Sequence, residues 1–355
     1  MPAAFPVRDF KTGQEQAPFD PSIIRGLDRH ANPDVDSADI LISMMKPQIL
    51  VSRLDDFDDE ATFERTDTFR LYEDLFPPIE RDSKDDIINW VLRSDIGEQR
   101  DVRLRDGTDF SYKLDSRYFI LCLAEQAIGL AFFTYDYASR LLYGNYIAVQ
   151  EFWRGGDIAT AFVEEIMKVQ AEIFPDYEGV IFEVEVFEES RIERAISFLE
   201  EHDKTFEEGE DRDEIRKFLR VHWYQQRLGC VFFIDCDSRK PLVCKAPCVD
   251  PTESDWSSSE ASYWLMWHPR RGFDQSIAKA MWKKTVNSIF IEVLAKSLAD
   301  CYPDVAQEYW RYATAGVERI LSDSDSKDIG FGKYLDRRDS PLFSRWVRLG
   351  IEVPI

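Results

Sequence analysis

Apolar residues fall into distinct patterns along the chain. From residue 117 they come in dense blocks rich in Ile, Phe, Tyr and Leu: RYFILCLAE (117–125), AIGLAFFTYDY (127–137) and LLYGNYIAV (141–149). Short polar turns separate the blocks, which reads as an antiparallel meander. The pattern then changes. Ile158, Phe162, Ile166, Val169 and Ile173 recur at four-, four-, three- and four-residue steps, one stripe of a helix. GVIFEVEVF (179–187) follows as a further strand. A strand, a glycine turn, a helix and a strand make a β-α-β unit, so 141–149 and 179–187 are expected to run parallel.

Upstream, ILVSRL (49–54) reads as a strand and TFERTDTFRLYEDLF (62–76) as a helix stopped by Pro77 and Pro78. A second helix carries Ile87, Ile88, Val91 and Leu92 on one face. Downstream, residues 188–227 read as charged helix, with a break in the acidic run 207–214. GCVFFID (229–235) and ASYWLMWHP (261–269) read as strands around an irregular stretch. Residues 273–321 read as two helices broken near Pro303, and 322–355 have no assignable pattern. The expected organisation is an N-terminal arm over 1–46, a mixed α/β domain over 47–270 and a helical extension over 271–355.

Composition narrows the function classes. The chain has 355 residues, 44% hydrophobic and 14% aromatic, enough to bury a large core. No apolar run approaches the ~18 residues of a membrane span. The first residues lack the basic-then-apolar order of a signal peptide, so a cytoplasmic protein without a membrane partner is expected. The net charge of −23, from 67 acidic against 44 basic residues, argues against general nucleic-acid binding and permits attraction of cations. Of six cysteines, Cys230, Cys236, Cys244 and Cys248 lie close together, but their spacing fits no zinc pattern. His30, His202, His222 and His268 form no ligand-spaced pair and accompany no nucleophile elbow, so neither a metal site nor a hydrolase is expected.

Chemistry concentrates at the turn between Val149 and Ile158. The turn holds Arg154, Gly155, Gly156 and Asp157, and Ile158 and Ala159 open the helix. Unpaired N–H groups and the helix dipole suit a pyrophosphate there, and glycines let it approach the backbone. Arg154 to Ala159 resembles the acetyl-CoA loop of the GNAT superfamily of N-acetyltransferases, Q/R-x-x-G-x-G/A, which lies between that family's fourth strand and third helix. Asp157 stands where the family usually has glycine; its carboxylate either weakens pyrophosphate binding or caps the helix with its side chain turned back to the backbone. LYEDLFPPIERD (71–82) is similar to the family's early-helix segment, HWYQQRLGCVFF (222–233) to its tyrosine segment before the next strand, and YWLMWHP (263–269) to the final strand of larger members.

That resemblance, over about residues 47–270, implies a GNAT-like, mostly antiparallel sheet with a parallel pair of fourth and fifth strands and flanking helices, followed here by the C-terminal helices. It implies direct acetyl transfer from acetyl-CoA to an amine without a metal. A backbone N–H near Ala148 or Val149 would face the thioester oxygen. Glu183 and Glu185 alternate with Val184 and Val186 on one strand face and are candidates to take the amine proton, with Glu80 and Glu151 as further ones. The family's tyrosine acid lies four residues before the glycine of its segment. Counted from Gly229, that place holds Gln225, with Tyr224 one residue earlier as the candidate. The expected acceptor is a cationic small-molecule amine, and a homo-oligomer is compatible with the sequence. A protein acceptor, or a non-catalytic acyl-CoA-binding or scaffold role, are the alternatives.

Overall fold

The structure is a computed structural model and describes residues 7–8, 15–16, 48–52, 68–76, 81–123, 126–150, 158–201, 210–248, 256, 260–334, 342 and 344–345. A short hairpin pairs Val7–Arg8 with Glu15–Gln16. The elements that follow are β1 (Gln48–Ser52), α1 (Thr68–Leu75), α2 (Lys84–Asn89), β2 (Arg100–Arg103), β3 (Asp109–Tyr112), β4 (Leu114–Leu123), β5 (Gln126–Asp136) and β6 (Leu141–Val149). Next come α3 (Ile158–Ile173), β7 (Gly179–Glu185), α4 (Glu189–Glu201), α5 (Glu210–Gln226), β8 (Val231–Asp235), β9 (Lys240–Pro241), β10 (Val243–Ala246) and β11 (Ala261–Pro269). The chain continues through α6 (Ala278–Asn287), a π-helical stretch (Ser288–Ala295), α7 (Lys296–Cys301), α8 (Ala306–Asp325) and β12 (Ile329–Gly332).

Ten strands form one sheet in the order β9-β8-β11-β7-β6-β5-β4-β1, with β10 added to β11 and β12 to β8. β6 and β7 pair in parallel, joined by α3, as the β-α-β pattern predicts. β1 with β4, β7 with β11, β8 with β9, β11 and β12, and β10 with β11 are antiparallel. The turns joining β4 to β5 and β5 to β6 are too short for a crossover, so those neighbours are antiparallel too. The fold is thus the mixed, mostly antiparallel sheet with one parallel pair and flanking helices that the resemblance implies.

The chain divides into two compact units, residues 1–96, 116–133 and 145–175, and residues 97–115, 134–144 and 176–355. In the first, α3 buries Ile158, Phe162 and Ile166 of the stripe read from the sequence, with Val163 beside them. Val169 and Ile173 lie at its half-buried margin. α2 starts where the Ser83 side chain accepts the Asp86 N–H at 3.1 Å, an N-cap. Tyr72, Ile87, Ile88, Trp90 and Val91 are buried from this helical region. Tyr72 and Phe76 lie edge-on against Tyr146 of β6.

In the second unit one sheet face carries Tyr143, Ile181, Leu265, Trp267 and Phe233 into a core shared with Met281, Trp282, Val286, Ile289, Phe290 and Val293. Each such side chain contributes roughly 1.5–3 kcal/mol of burial, so these helices are held by the sheet itself. The other face packs Phe182 on Tyr224, and Phe187 lies edge-on to Phe218, both ring partners coming from α5. The hairpin β2–β3, unread in the sequence, grips the C-terminal helices. Arg100 binds Asp300 at 2.9 Å, Lys296 reaches the Ser111 carbonyl at 2.9 Å, and Phe110 stacks on Trp310.

β10 and β12 lie in stretches read as irregular or unassigned. β10 has only four residues, and Cys244 and Ala246 alone point inward. β12 is the sequence IGFG, poor in strand formers. Its glycines are required by contact: a Cβ at Gly332 would lie 2.5 Å from the Ile234 side chain, and one at Gly330 would lie 2.7 Å from Cys236 Sγ.

Candidate functional site

Parallel pairing of β6 and β7 runs only from Leu141↔Gly179 to Gly144↔Phe182. Beyond that point β6 continues to Val149 and β7 to Glu185. Glu183 and Glu185 therefore both lie past the end of this ladder. On its other side β7 stays paired with β11, Glu183 opposite Leu265 and Glu185 opposite Tyr263. Alternation puts the two carboxylates on one face, as the sequence suggests.

They meet different surroundings there. Glu185 accepts from Arg220 of α5 at 2.6 Å, so its charge is already matched. Glu183 Oε2 accepts a short hydrogen bond from the Tyr143 hydroxyl. Its other oxygen, Oε1, is out of solvent and has no partner among the described residues. Burial pushes the Glu183 carboxyl up from 4.5 to about 7, and the Tyr143 bond offsets part of that rise. The neighbouring Cys244 thiol is raised as well, first by its burial and then by Glu183. A carboxylate poised near neutrality can both take and release a proton at working pH.

Tyr224 sits on α5 with its ring 4.7 Å from that of Phe182. Phe182 and Glu183 are successive strand residues, so Tyr224 and Glu183 lie on opposite faces of β7. Burial holds the Tyr224 phenol well above its ordinary range. Gln225, the residue at the family's tyrosine position, is wholly buried. Its amide is taken up at both ends by the Tyr334 backbone, which donates to Gln225 Oε1 at 2.7 Å and accepts from Nε2. That residue is therefore a tie between α5 and the chain after β12.

In the first unit, the described parts of the crossover turn are its flanks. Gln150 donates its N–H to Ile128 at 2.7 Å, so β6 keeps its bonds to β5 through residue 150. Alternation then directs the Ala148 N–H toward β5 and the Val149 N–H toward the opposite strand edge. Val149 is buried and Ala148 half-buried. Ile158, buried, opens α3, and Ala159 beside it is half-buried. Arg154, Gly155, Gly156 and Asp157, and the further candidates Glu80 and Glu151, lie outside the described residues. Asp82 is tied to β6 and to α1 by polar contacts. Tyr146 donates to the Asp82 carboxylate at 2.5 Å, and the Asp82 N–H donates to Tyr72 at 2.8 Å. Both phenols are raised, burial first and Asp82 second.

Sequence reasoning missed Tyr143, Arg220 and Cys244. Tyr143 could be found only with the register: it pairs with Ile181, two residues before Glu183 on the same face. No group of three or more His, Cys, Asp or Glu side chains among the described residues could hold a metal ion. No helix among them is long and apolar enough to cross a membrane.

No protein-family model and no curated protein matches the chain. Solved structures that align with it include two acetyltransferases. One is a protein assigned as a GNAT-family acetyltransferase, from Bacteroides thetaiotaomicron, at 12% identity over 69% of this chain and 98% of that chain, with a TM-score of 0.37. The other is assigned as a streptothricin acetyltransferase, from Bacillus anthracis, in complex with acetyl coenzyme A. It shows 13% identity over 65% of this chain and 99% of that chain, with a TM-score of 0.28. Scores of this size add no argument of their own. What bears on the fold is the strand order and the parallel β6–α3–β7 unit.

Proposed function

We propose that the chain is an acetyl-CoA-dependent N-acetyltransferase of the GNAT type, acting on a small cationic amine. One observation carries the reading. The parallel ladder of β6 and β7, in a mostly antiparallel sheet, stops after Gly144 and Phe182 while both strands run on, and a carboxyl poised near neutrality, Glu183, stands just past its end.

The thioester supplies an activated acetyl group. The chain supplies the rest. Arg154, Gly155 and Gly156, ahead of the first turn of α3, would hold the pyrophosphate through backbone N–H groups and the helix dipole. A backbone N–H near Ala148 or Val149 is the donor proposed for the thioester oxygen. An alkylamine is mostly protonated near pH 7, so its first proton passes to the Glu183 carboxylate. The amine nitrogen then forms its bond to the acetyl carbon as the carbon–sulfur bond breaks. The second N–H proton then passes from the nitrogen to the departing sulfur, giving the N-acetyl amide and the CoA thiol. Tyr224, kept protonated by burial, is the hydroxyl proposed to donate a hydrogen bond to that sulfur. The net charge of −23 supports a cationic acceptor by raising its local concentration.

The test is binding at the turn. Replacing Gly155 and Gly156 by valine should reduce acetyl-CoA affinity below calorimetric detection, because side chains there block the backbone. Unchanged affinity in that variant would place the cofactor elsewhere and remove the ground for the assignment.

A further inference from the structure

Glu183 has two oxygens in unlike states. Oε2 is held by the Tyr143 hydroxyl, while Oε1 is buried with no partner among the described residues. Tyr143 reaches it because β6 and β7 are parallel and in register here, with Tyr143 beside Ile181 and Glu183 one pleat further on. The tyrosine is itself fixed, 7% exposed within the core of the second unit. A buried carboxylate with one oxygen bound and one bare presents its unshared electron pairs on the bare oxygen.

From this we infer that Tyr143 is a positioning residue: it clamps Oε2 so that Oε1 is the atom that accepts the amine proton. The inference rests on the acetyl-transfer reading for its chemistry, but not for its geometry. In the step itself the amine N–H bond breaks, its proton goes to Oε1, and the nitrogen keeps the electron pair. Tyr143 keeps its own proton throughout. It also sets basicity, because its hydrogen bond favours the ionised carboxylate and holds the affinity of Glu183 for a proton below what burial alone would give. Three other groups near this face have their own states. Cys244 is a raised, neutral thiol, Tyr263 lies across from Glu185, and Glu185 is matched by Arg220. None of them can take the place of Tyr143 on Oε2, whose hydrogen bond comes from the adjacent parallel strand.

The experiment compares wild type, Tyr143→Phe and Glu183→Gln by two readouts. One is the titration of glutamate side-chain carboxyls in protein carrying carbon-13 at the glutamate δ position. The other is the pH profile of acetyl transfer, kcat/KM against pH. Wild type should show one carboxyl titrating near pH 7, absent in Glu183→Gln. Tyr143→Phe should move that titration to higher pH and move the acid limb of the rate profile with it, so that rates fall at pH 6.5 and recover at high pH. A general loss of packing would lower rates at all pH values without moving the limb. An unmoved titration in Tyr143→Phe would overturn the inference. A moved titration with no turnover on any amine would uphold the clamp and reject acetyl transfer instead.

Discussion

Glu183→Gln should lower the rate of acetyl transfer by roughly 10²–10⁴-fold at pH 7 while leaving acetyl-CoA affinity unchanged. That is the usual range for losing a positioned general base. Glutamine keeps the size of the side chain and can still accept from Tyr143, so the loss reports the missing proton acceptor. The same change should affect stability in the opposite sense. The folded state raises the Glu183 carboxyl from 4.5 to about 7, so it binds the proton more tightly than the unfolded chain does. Stability is thus intact below about pH 4.5 and falls as pH rises through 7, by at most about 3 kcal/mol. The glutamine variant lacks this penalty and should be the more stable protein at pH 8 in urea titrations, with little difference at pH 4.5. A variant that kept full activity across pH would remove Glu183 from the mechanism.

Gly179→Ala should be among the most damaging single-methyl additions in the second unit. Gly179 opens β7, paired with Leu141 on one side and Pro269 on the other. A Cβ there would lie 2.2 Å from Trp267 Cη2, 2.6 Å from Trp267 Cζ2 and 2.5 Å from the His268 carbonyl oxygen. The indole is buried in the core and the carbonyl belongs to the sheet, so neither can swing away as a flexible chain end would. Over-packing typically costs about 1–3 kcal/mol, and a clash with both ring and backbone belongs at or above the top of that range. Against a total stability of roughly 5–15 kcal/mol, the urea midpoint should drop sharply. Gly229→Ala is the control. Gly229 has a φ of 70° but nothing within 4 Å of an added Cβ, so it loses only the backbone term of about 1–2 kcal/mol. Equal midpoints for the two variants would mean that the indole does not cover the start of β7.

The parts of the fold legible in the sequence are those whose side chains alternate or recur over many residues. The meander 117–149, the α3 stripe and the strand 179–185 are long and strongly patterned, and the β-α-β order alone fixes their parallel sense. β10 and β12 were not legible, because four residues with two glycines or two small inward side chains carry no period. The hairpin β2–β3 escaped for a related reason: its burial alternates weakly, and the partners that hold it, Asp300 and Trp310, lie some two hundred residues away. For the site, the shared face of Glu183 and Glu185 follows from spacing alone. Their difference does not, since it depends on Tyr143 across one strand and Arg220 from a helix. The position of Tyr224 across β7 from Glu183 likewise needed the packing of α5 on Phe182.

The central claim is that this chain moves an acetyl group from acetyl-CoA to an amine. The most direct measurement follows release of the CoA thiol together with the mass of the amine. It would use a panel of polyamines, aminoglycosides, amino acids and lysine peptides at low and high ionic strength. The account predicts thiol release matched one for one by an N-acetylated product, fastest with small polycationic amines. The rate should fall with salt, since exposed charges are screened over about 8–10 Å, and should collapse in Glu183→Gln. Saturable acetyl-CoA binding with no thiol release above buffer for any amine would contradict it and leave the chain an acyl-CoA-binding protein.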